Sequence, residues 1–289
     1  MSIRVYIDGE ICEPEKAMIS VFDRGFLFGD SVYETVARLA GRFLFLGEHL
    51  DRLQRSARRI YIEPPARARI EQAMRETAAA SGEKDARVRV VITRGAAGID
   101  IDPGSARTPR LVVFVQPLGA PSPEMLDAGV AVAVVRQSRC APGGVDPMVK
   151  SGNYLSSVLA MAEARRRSPG VNEAILCAGT GSIAEGATSN VFLVSGGVLC
   201  TPAVEVGILD GVTRAKVLAL ARENGIPTRE PGFVDAGELR GADEVFLTSA
   251  VRGILPVTVV DSMRIGSGRP GPVTRQLLAG YQRLVSEAR

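Results

Sequence analysis

Histidine is almost absent from this chain, which has a single copy, His49, among its 289 residues. Ser-His-Asp catalysis and multi-histidine metal sites both need histidines in number or in suitable company, so the composition disfavours both. We therefore expect any acid or base used in catalysis to be a lysine, a tyrosine or a carboxylate.

Cysteine is also scarce. The four copies, Cys12, Cys140, Cys177 and Cys200, are far apart and form no Cys-x-x-Cys pair. This spacing predicts reduced and mostly buried thiols in a cytoplasmic protein, with neither a disulfide framework nor a zinc site.

Long apolar runs and an excess of one charge are missing as well. No segment approaches the ~20 consecutive apolar residues of a membrane span, and residues 1–9 lead into an alternating strand rather than a signal peptide. The formal net charge is only +3, and the arginines are scattered. The basic run Arg165–Arg167 closes a predicted helix, where cations complement the helix dipole. We expect neither a membrane nor a nucleic-acid partner.

The composition itself is that of a folded globular protein, with 46% hydrophobic and 23% charged residues. Apolar periodicity predicts a small α+β domain over residues 1–116. Its predicted elements are a hairpin over 4–12 around Asp8-Gly9, a second hairpin over 32–46 around Ala40-Gly41, helices from Glu48 and over 66–80, and strands over 87–93 and 111–115.

A proline-rich stretch, residues 117–123, has no periodicity and predicts an inter-domain linker. The remaining residues, 124–289, are strand-rich and form the predicted larger domain. Its strands are expected over 130–135, 173–177, 190–194, 198–200, 244–248 and 257–260, with helices near 154–167 and over 212–223.

Two segments of this larger domain are candidates for chemistry. Met148–Tyr154 places Lys150 between an extended segment and a helix, although most single lysines are solvated surface residues. Ile183–Phe192 contains the sequence Glu-Gly-Ala-Thr-Ser-Asn, and Leu209–Arg214 contains Asp-Gly-Val-Thr.

This ordered series of motifs resembles the signature of the class IV aminotransferases, also called fold type IV pyridoxal phosphate enzymes. Phe28–Glu34 and His49–Leu53 are similar to the N-terminal motifs of that family, so the resemblance covers nearly the whole chain. It implies a two-domain α+β fold with a strand-rich pseudo-barrel in the larger domain, and pyridoxal 5'-phosphate as cofactor. It also implies a homodimer in which a small-domain loop of the partner, around residues 96–107, completes each active site.

The resemblance assigns roles around the cofactor ring. Lys150 would bind the cofactor as a Schiff base and move a proton from the substrate α-carbon. Glu185 would keep the pyridine nitrogen protonated, and Tyr154 would donate a hydrogen bond to the ring oxygen. Without its motif, Glu185 would be interpreted as a solvated turn residue.

The resemblance also assigns the phosphate site. Val212 and Thr213 open a helix whose free N–H groups suit an anion, and Arg52 would supply the counter-charge. Ser249 and Ala250 would add donors toward phosphate or the substrate carboxylate. The alternatives are that Thr213 is a plain N-cap and that Arg52 is a helix-surface arginine.

The substrate pocket is expected to have a carboxylate end and an apolar end. Arg89 falls where the branched-chain enzymes keep an arginine near the substrate carboxylate, and Tyr33 aligns with an aromatic residue there. Phe28, Ala250 and Val251 would complete the pocket. A strand arginine facing solvent is the alternative for Arg89.

The favoured reaction is transamination between a branched-chain or other apolar L-amino acid and a 2-oxo acid, with mixed activity on (R)-amines as a hypothesis. A D-amino-acid transaminase is disfavoured because Thr93-Arg94-Gly95 is not followed by an Arg-x-His carboxylate trap. The turn at residues 249–256 departs from the Gly-Thr-Ala-Ala loop of the branched-chain enzymes and resembles some aminodeoxychorismate lyases. Arg252, in this turn, is either a substrate contact or a salt-bridged loop residue.

A non-catalytic scaffold is the remote alternative. It predicts loss of the lysine, the acidic ring partner or the phosphate site, whereas Lys150, Glu185, Arg52 and Thr213 are all present.

Overall fold

The structure, a computed structural model, describes residues 3–138 and 144–287. The chain divides into two compact units between Gly119 and Ala120. Unit 1 comprises the residues up to Gly119 together with Val149–Asn153, and unit 2 comprises Ala120–Met148 and Tyr154–Glu287. The short segment that carries Lys150, which the sequence assigned to the larger domain, therefore groups with unit 1.

Unit 1 is built on an antiparallel sheet covered by helices. Its elements in chain order are β1 (Arg4–Ile7), β2 (Glu10–Cys12), α1 (Arg24–Phe28), β3 (Ser31–Leu39), β4 (Arg42–Phe43), α2 (Leu46–Arg59), α3 (Arg67–Ser81), β5 (Ala86–Thr93) and β6 (Arg110–Pro117). The six strands lie in the order β2-β1-β6-β5-β3-β4. Both predicted hairpins are present, β1-β2 and β3-β4.

The two faces of this sheet have different environments because side chains alternate along each strand. In β5, Val88, Val90 and Ile92 are buried in the core, whereas Arg87 and Arg89 are exposed. The buried face packs against apolar residues of α2 and α3, among them Leu53 and Met74. The opposite face carries Arg87 and Arg89 together with Tyr33, Val91 and Phe114.

Unit 2 has more strands and a curled sheet. Its elements are α4 (Pro123–Ala128), β7 (Val130–Ser138), α5 (Leu155–Arg167), β8 (Glu173–Cys177), β9 (Ile183–Gly186), β10 (Asn190–Ser195), β11 (Val198–Cys200), α6 (Val212–Glu223), β12 (Thr228–Arg229), α7 (Ala236–Arg240), β13 (Glu244–Ser249), β14 (Gly253–Val260), β15 (Met263–Arg264) and α8 (Pro272–Glu287). The strand order is β12-β11-β10-β13-β14-β7-β8-β9, with β15 beside β14. Although β9 and β10 are far apart in this order, they lie close together in space, so the sheet curls toward closure.

The buried face of α5 does not contain its larger apolar residues. The buried face of α5 is formed by the small residues Ser157, Ala160 and Ala164, while Leu155 and Val158 are exposed. The C-terminal helix α8 packs against α6 and β14.

Several elements differ from the sequence prediction. The second strand of the β3-β4 hairpin ends at Phe43 rather than near residue 46, because α2 begins at Leu46, before Glu48. Four helices were not predicted: α1, α4, α7 and α8. The first three are short, and α8 buries small or polar residues such as Thr274 and Gly280 beside Leu277, which weakens its apolar pattern.

Cysteine burial also differs from the prediction. Of the three cysteines that the structure describes, Cys200 is buried, whereas Cys12 and Cys177 are half-buried. Cys140 lies outside the described residues. Among the described residues, no helix has both the length and the apolar character needed to cross a membrane.

Candidate active site

Hydrogen bonds on both sides fix the backbone of Lys150 within unit 1. The Lys150 N–H donates to Ser56 Oγ at 3.2 Å. Its carbonyl accepts from the Tyr33 N–H at 2.9 Å, and the Gly152 N–H donates to the Ser31 carbonyl at 2.8 Å. Residues 150–152 thus run beside the start of β3, and the lysine side chain leaves from a rigid backbone.

The approach is close at Gly152. A Cβ there would overlap Ser31 Oγ. A larger residue at position 152 would therefore require Ser31 to change its rotamer.

Tyr33 brings together Lys150 and the strand arginine of the substrate hypothesis. Lys150 Nζ lies 4.5 Å from the centroid of the Tyr33 ring, and the Arg89 guanidinium carbon lies 4.4 Å from the same centroid. Tyr33 pairs with Val91 and Thr35 with Arg89, so Tyr33 and Arg89 share one face of the sheet. Arg89 also donates to Thr35 Oγ1 at 3.3 Å. The exposed guanidinium is thus held in place and can receive an anionic group.

A buried ion cluster, Glu34–His49–Arg52, lies in the same unit. Arg52 Nε and Nη2 donate to the two carboxylate oxygens of Glu34 at 2.6 and 2.9 Å. His49 Nδ1 lies 2.8 Å from Glu34 Oε2. Burial opposes ionisation of Glu34, but the charges of Arg52 and His49 outweigh it and hold the pKa of this carboxyl well below its usual range. Arg52 is therefore a buried, oriented cation, and its interpretation as a helix-surface arginine is wrong.

Arg94, in the Thr-Arg-Gly turn, belongs to a second ion cluster. It donates to both carboxylate oxygens of Asp30 at 2.6 and 3.0 Å and to the carbonyls of Ile60 and Tyr61. Arg24 donates to Asp30 at 3.0 Å and to the Asp100 carbonyl at 2.7 Å. These contacts tie α1 to the loop that follows β5. Phe28 at the end of α1 is half-exposed and lies under the Arg24 guanidinium.

In unit 2, Glu185 is a buried carboxylate on β9 rather than a solvated turn residue. Its Oε2 accepts from Asn190 Nδ2 at 3.2 Å and from the Leu209 N–H at 3.1 Å. Asn190 also donates to the Leu209 carbonyl at 2.8 Å. One asparagine thus fixes the carboxylate and the approach to α6 together.

The N-terminus of α6 is open to an anion. Gly211 is its N-cap and supplies no side-chain cap, so Thr213 is a buried first-turn residue and not the N-cap. Thr213 hydrogen-bonds Tyr281 of α8. Burial raises the pKa of Tyr281, with a partly opposing effect from this hydrogen bond, so the phenol stays protonated.

Two further hydroxyls lie beside Asn190, those of Ser189 and Thr248. Thr248 is the partner of Asn190 across β10 and β13. Both oxygens are buried, and neither has a hydrogen-bond partner among the described residues. A buried hydroxyl without a partner costs free energy unless a ligand satisfies it.

The turn between β13 and β14 follows directly. Ser249 and Gly253 are its paired ends, and Ala250 and Val251 form its tip. Gly253 has φ +61°, and a Cβ there would lie 2.9 Å from Tyr281 Cε1. Arg252 is salt-bridged to Glu173 at 2.6 Å. Its contacts are therefore those of a salt-bridged loop residue, the second of the two interpretations given above.

The residues of unit 2 fit pyridoxal phosphate. They offer a buried carboxylate for a protonated ring nitrogen, an uncapped helix N-terminus for phosphate, and two buried hydroxyls without partners. Unit 1 contains the amine of Lys150 and the buried guanidinium of Arg52. Tyr154 is half-buried at the N-cap of α5, and Val212 is the buried first residue of α6.

Sequence reasoning missed three contributors. Asn190 ends the Glu-Gly-Ala-Thr-Ser-Asn motif, but its bridging role depends on its contact with Leu209, which is distant in sequence. Tyr281 lies in a helix that was not predicted. Glu173 carries no local signal, because its partners Thr188 and Arg252 are distant in sequence.

Comparison with known proteins gives a consistent result. A sequence model of the family described as amino-transferase class IV matches residues 31–260. The chain is 35% identical over 276 residues to a putative branched-chain-amino-acid aminotransferase of Methanocaldococcus jannaschii, covering 95% of this chain and 94% of the relative. It is 34% identical over 283 residues to a D-alanine aminotransferase of Bacillus licheniformis, covering 97% and 96%.

A solved structure shares the fold. The branched-chain amino acid aminotransferase of Escherichia coli superimposes with a TM-score of 0.91 at 31% identity, covering 98% of this chain and 95% of that one. The family uses pyridoxal phosphate, and this relative has the mixed α+β, fold type IV architecture described above. The chain is a member of the class IV aminotransferase family.

Proposed function

We propose that this protein is a pyridoxal phosphate-dependent transaminase that exchanges an amino group between a branched-chain or other apolar L-amino acid and a 2-oxo acid. The observation that carries the proposal is the group formed by Lys150, Tyr33 and Arg89. It places a fixed exposed guanidinium and a rigidly held lysine on the same aromatic ring. An amine-bearing carboxylate needs such a pair: a cation for its carboxylate and a base near its α-carbon.

Each residue has a chemical task in this proposal. Bound pyridoxal phosphate would withdraw electrons from the substrate and make its α-proton acidic. Lys150 Nζ would hold the cofactor and then carry that proton. Glu185 would keep a proton on the ring nitrogen, and Tyr154 would donate to the ring oxygen. Arg89 would orient the substrate carboxylate.

The phosphate would be held by several groups that we assign together. The N–H groups at Val212 and Thr213 and the Thr213 hydroxyl would donate to it from α6. Ser249 and Ala250 would add donors, and Arg52 would supply charge. The Glu34 carboxylate would fix the orientation of that arginine.

The apolar end of the pocket is assigned to Phe28, Ala250 and Val251. These residues would favour a branched or other apolar side chain over a charged one.

D-amino-acid transamination is a second candidate, because D-alanine aminotransferases are also among the relatives, at 34% identity for that of Bacillus licheniformis. Against it, the loop after Thr93-Arg94-Gly95 contains neither residue of an Arg-x-His trap.

We also propose a cytoplasmic homodimer. Segments 18–26 and 99–101 of unit 1 expose large apolar side chains next to each other, since the Ala97 N–H donates to the Phe22 carbonyl. We call this surface the apolar face. Its members are Met18, Val21, Phe22, Phe26, Ile99 and Ile101. This number of exposed large apolar side chains on two hydrogen-bonded segments suits a second copy of the chain.

The test is a visible absorption spectrum of the purified protein with pyridoxal phosphate, recorded before and after each amine is added separately. We expect a cofactor band that bleaches with L-leucine and persists with D-alanine. Bleaching with D-alanine alone would support the second candidate. Bleaching with (R)-1-phenylethylamine as well would support mixed specificity, and 4-aminobenzoate formed from aminodeoxychorismate would support a lyase.

Lys150→Ala separates the proposed catalytic lysine from other lysines. It is expected to abolish the band and to lower the transamination rate by at least about 100-fold, because the base is removed. Lys84→Ala, an exposed lysine of unit 1, is the matched control and should leave both unchanged. A band that survives in Lys150→Ala would contradict the proposal.

A further inference from the structure

Arg252 has all three side-chain nitrogens engaged inside unit 2. Its Nη1 lies 2.6 Å from Glu173 Oε2. Its Nη2 donates to Thr188 Oγ1 at 2.8 Å, and its Nε donates to Ser249 Oγ at 3.3 Å. The Arg252 side chain is 20% exposed and that of Glu173 only 3%. A guanidinium with three partners of this kind is held in one orientation.

Glu173 and Thr188 connect this arginine to the turn between β9 and β10. Glu173 is the first residue of β8, which pairs with β9. Its Oε1 accepts from the Thr188 N–H at 2.7 Å and from the Thr188 hydroxyl at 3.1 Å. The hydroxyl thus donates to Glu173 and accepts from Arg252, so both of its roles are used.

The two turns that Arg252 joins carry proposed cofactor-binding groups. The turn over residues 187–189 lies between Glu185 and Asn190, which hydrogen-bond each other. The turn over residues 250–252 follows Ser249, and the Arg252 N–H closes it on Ser249 Oγ at 3.4 Å. Residues 188 and 252 are 64 positions apart, so no local backbone contact can fix one turn against the other.

We propose that Arg252 is a positioning residue that clamps these two turns together and so keeps Glu185 in register with the donors at Ser249 and Ala250. It acts through Thr188 and Glu173 and does not touch the substrate. This inference rests on the proposed function for the roles of Glu185 and Ser249, whereas the clamp itself is a property of the protein without cofactor.

The first experiment follows backbone amide exchange in the full-length protein, as purified and after loading with pyridoxal phosphate. In Arg252→Met, segments 186–190 and 249–253 are expected to exchange faster than in the wild type, in both states. Arg264→Met, an exposed arginine on β15 of the same unit, is the matched control and should exchange as the wild type does. Unchanged exchange in Arg252→Met would overturn the clamp.

The second experiment separates positioning from substrate contact. Arg252→Met is expected to lower kcat on the order of 10- to 100-fold, as misplaced catalytic groups do, with KM for the amino acid near the wild-type value. The pH at which the bound cofactor band titrates should shift as well. A raised KM with unchanged kcat and unchanged exchange would mean that Arg252 binds the substrate carboxylate.

Two further variants test the route through Thr188. Thr188→Val alone should give part of the effect, and adding it to Arg252→Met should give little more than Arg252→Met alone. Arg252→Lys keeps the charge but replaces the planar guanidinium by one flexible ammonium, so it should keep part of the kcat that Arg252→Met loses. Fully additive losses would overturn the route.

Failure of the proposed function would look different. The wild-type protein would then take up no pyridoxal phosphate, while exchange in the as-purified protein would still show whether Arg252 clamps the two turns.

Discussion

Arg89 lies on the open face of β5, where its guanidinium stacks on Tyr33 and donates to Thr35. Arg87, two residues earlier, shares that face but donates to Gln116 instead. Both arginines lie on β5 and are exposed, but only Arg89 lies beside the Tyr33 ring, which also contacts Lys150.

This pair gives a matched test of the substrate contact. Arg89→Met is expected to lower kcat/KM for L-leucine by about 10- to 100-fold, the loss of a charge-assisted hydrogen bond to the carboxylate. Arg87→Met should change it little. Steady-state kinetics of both variants measure kcat/KM, and equal losses of kcat/KM would contradict the assignment of Arg89.

Glu34 makes a pH-dependent contribution to stability that can be measured. Its pKa in the folded protein lies below the ordinary value of 4.5, so ionised Glu34 stabilises the fold fully above that value. As the pH falls below it, the unfolded chain takes up the proton first. The free energy of unfolding then decreases by about 1.4 kcal/mol per pH unit from this group.

Glu34→Gln isolates this contribution. It leaves Arg52 buried without its counter-ion, so we expect a loss of about 3–5 kcal/mol at neutral pH. Denaturant unfolding from about pH 7 to about pH 3 should show the difference from wild type shrinking at the acid end. The control is Glu71→Gln, which removes an exposed pair with Arg75. A difference that stays constant over this range would show that folding does not lower the pKa of Glu34.

At the scale of the element, α8 reaches the proposed phosphate site from the C-terminal end of the chain. Tyr281 hydrogen-bonds Thr213 at the start of α6, and its ring lies against Gly253 at the start of β14. This hydrogen bond fixes the Thr213 hydroxyl at the uncapped start of α6.

Tyr281→Phe tests this hydrogen bond, because it removes the hydroxyl and keeps the ring. We expect the dissociation constant for pyridoxal phosphate to rise by about 2- to 10-fold, the value of one neutral hydrogen bond. An absorbance titration measures it, with Tyr61→Phe as control, since the Tyr61 side chain is 85% exposed. Unchanged affinity in Tyr281→Phe would argue that Thr213 is oriented without it.

At the scale of the whole molecule, the apolar face predicts self-association. Met18 is 78%, Phe26 66% and Ile101 84% exposed, and burial of such side chains would contribute about 1.5–3 kcal/mol each. Segments 18–28 and 96–101 are held together by two hydrogen bonds, from Arg24 to the Asp100 carbonyl and from the Ala97 N–H to the Phe22 carbonyl, so the face is a fixed surface rather than a set of separate loops.

Phe26→Asp combined with Ile101→Asp should convert the protein to monomers in sedimentation velocity. Phe233→Asp, an exposed phenylalanine of unit 2 with 54% exposure, is the control and should sediment as the wild type does. A wild-type protein that is monomeric at all concentrations would contradict the homodimer.

The sequence by itself determined most of the elements and the family to which the chain belongs. Strand alternation and helical periodicity are local, so β5, β8, β11 and α6 could be predicted closely. The motifs around Lys150, Glu185 and Thr213 are local too, because a cofactor needs an amine, a carboxylate and a helix N-terminus in fixed sequence contexts.

Only the tertiary structure decided which residues support that site. Glu34 with Arg52, Tyr281 with Thr213, and Arg252 with Glu173 are each distant in sequence. No local pattern specifies such pairs, since each depends on how strands and helices pack. The burial of Arg52 and Glu185 follows for the same reason: an isolated arginine or glutamate is expected in solvent, and the fold buries these two because it supplies their partners.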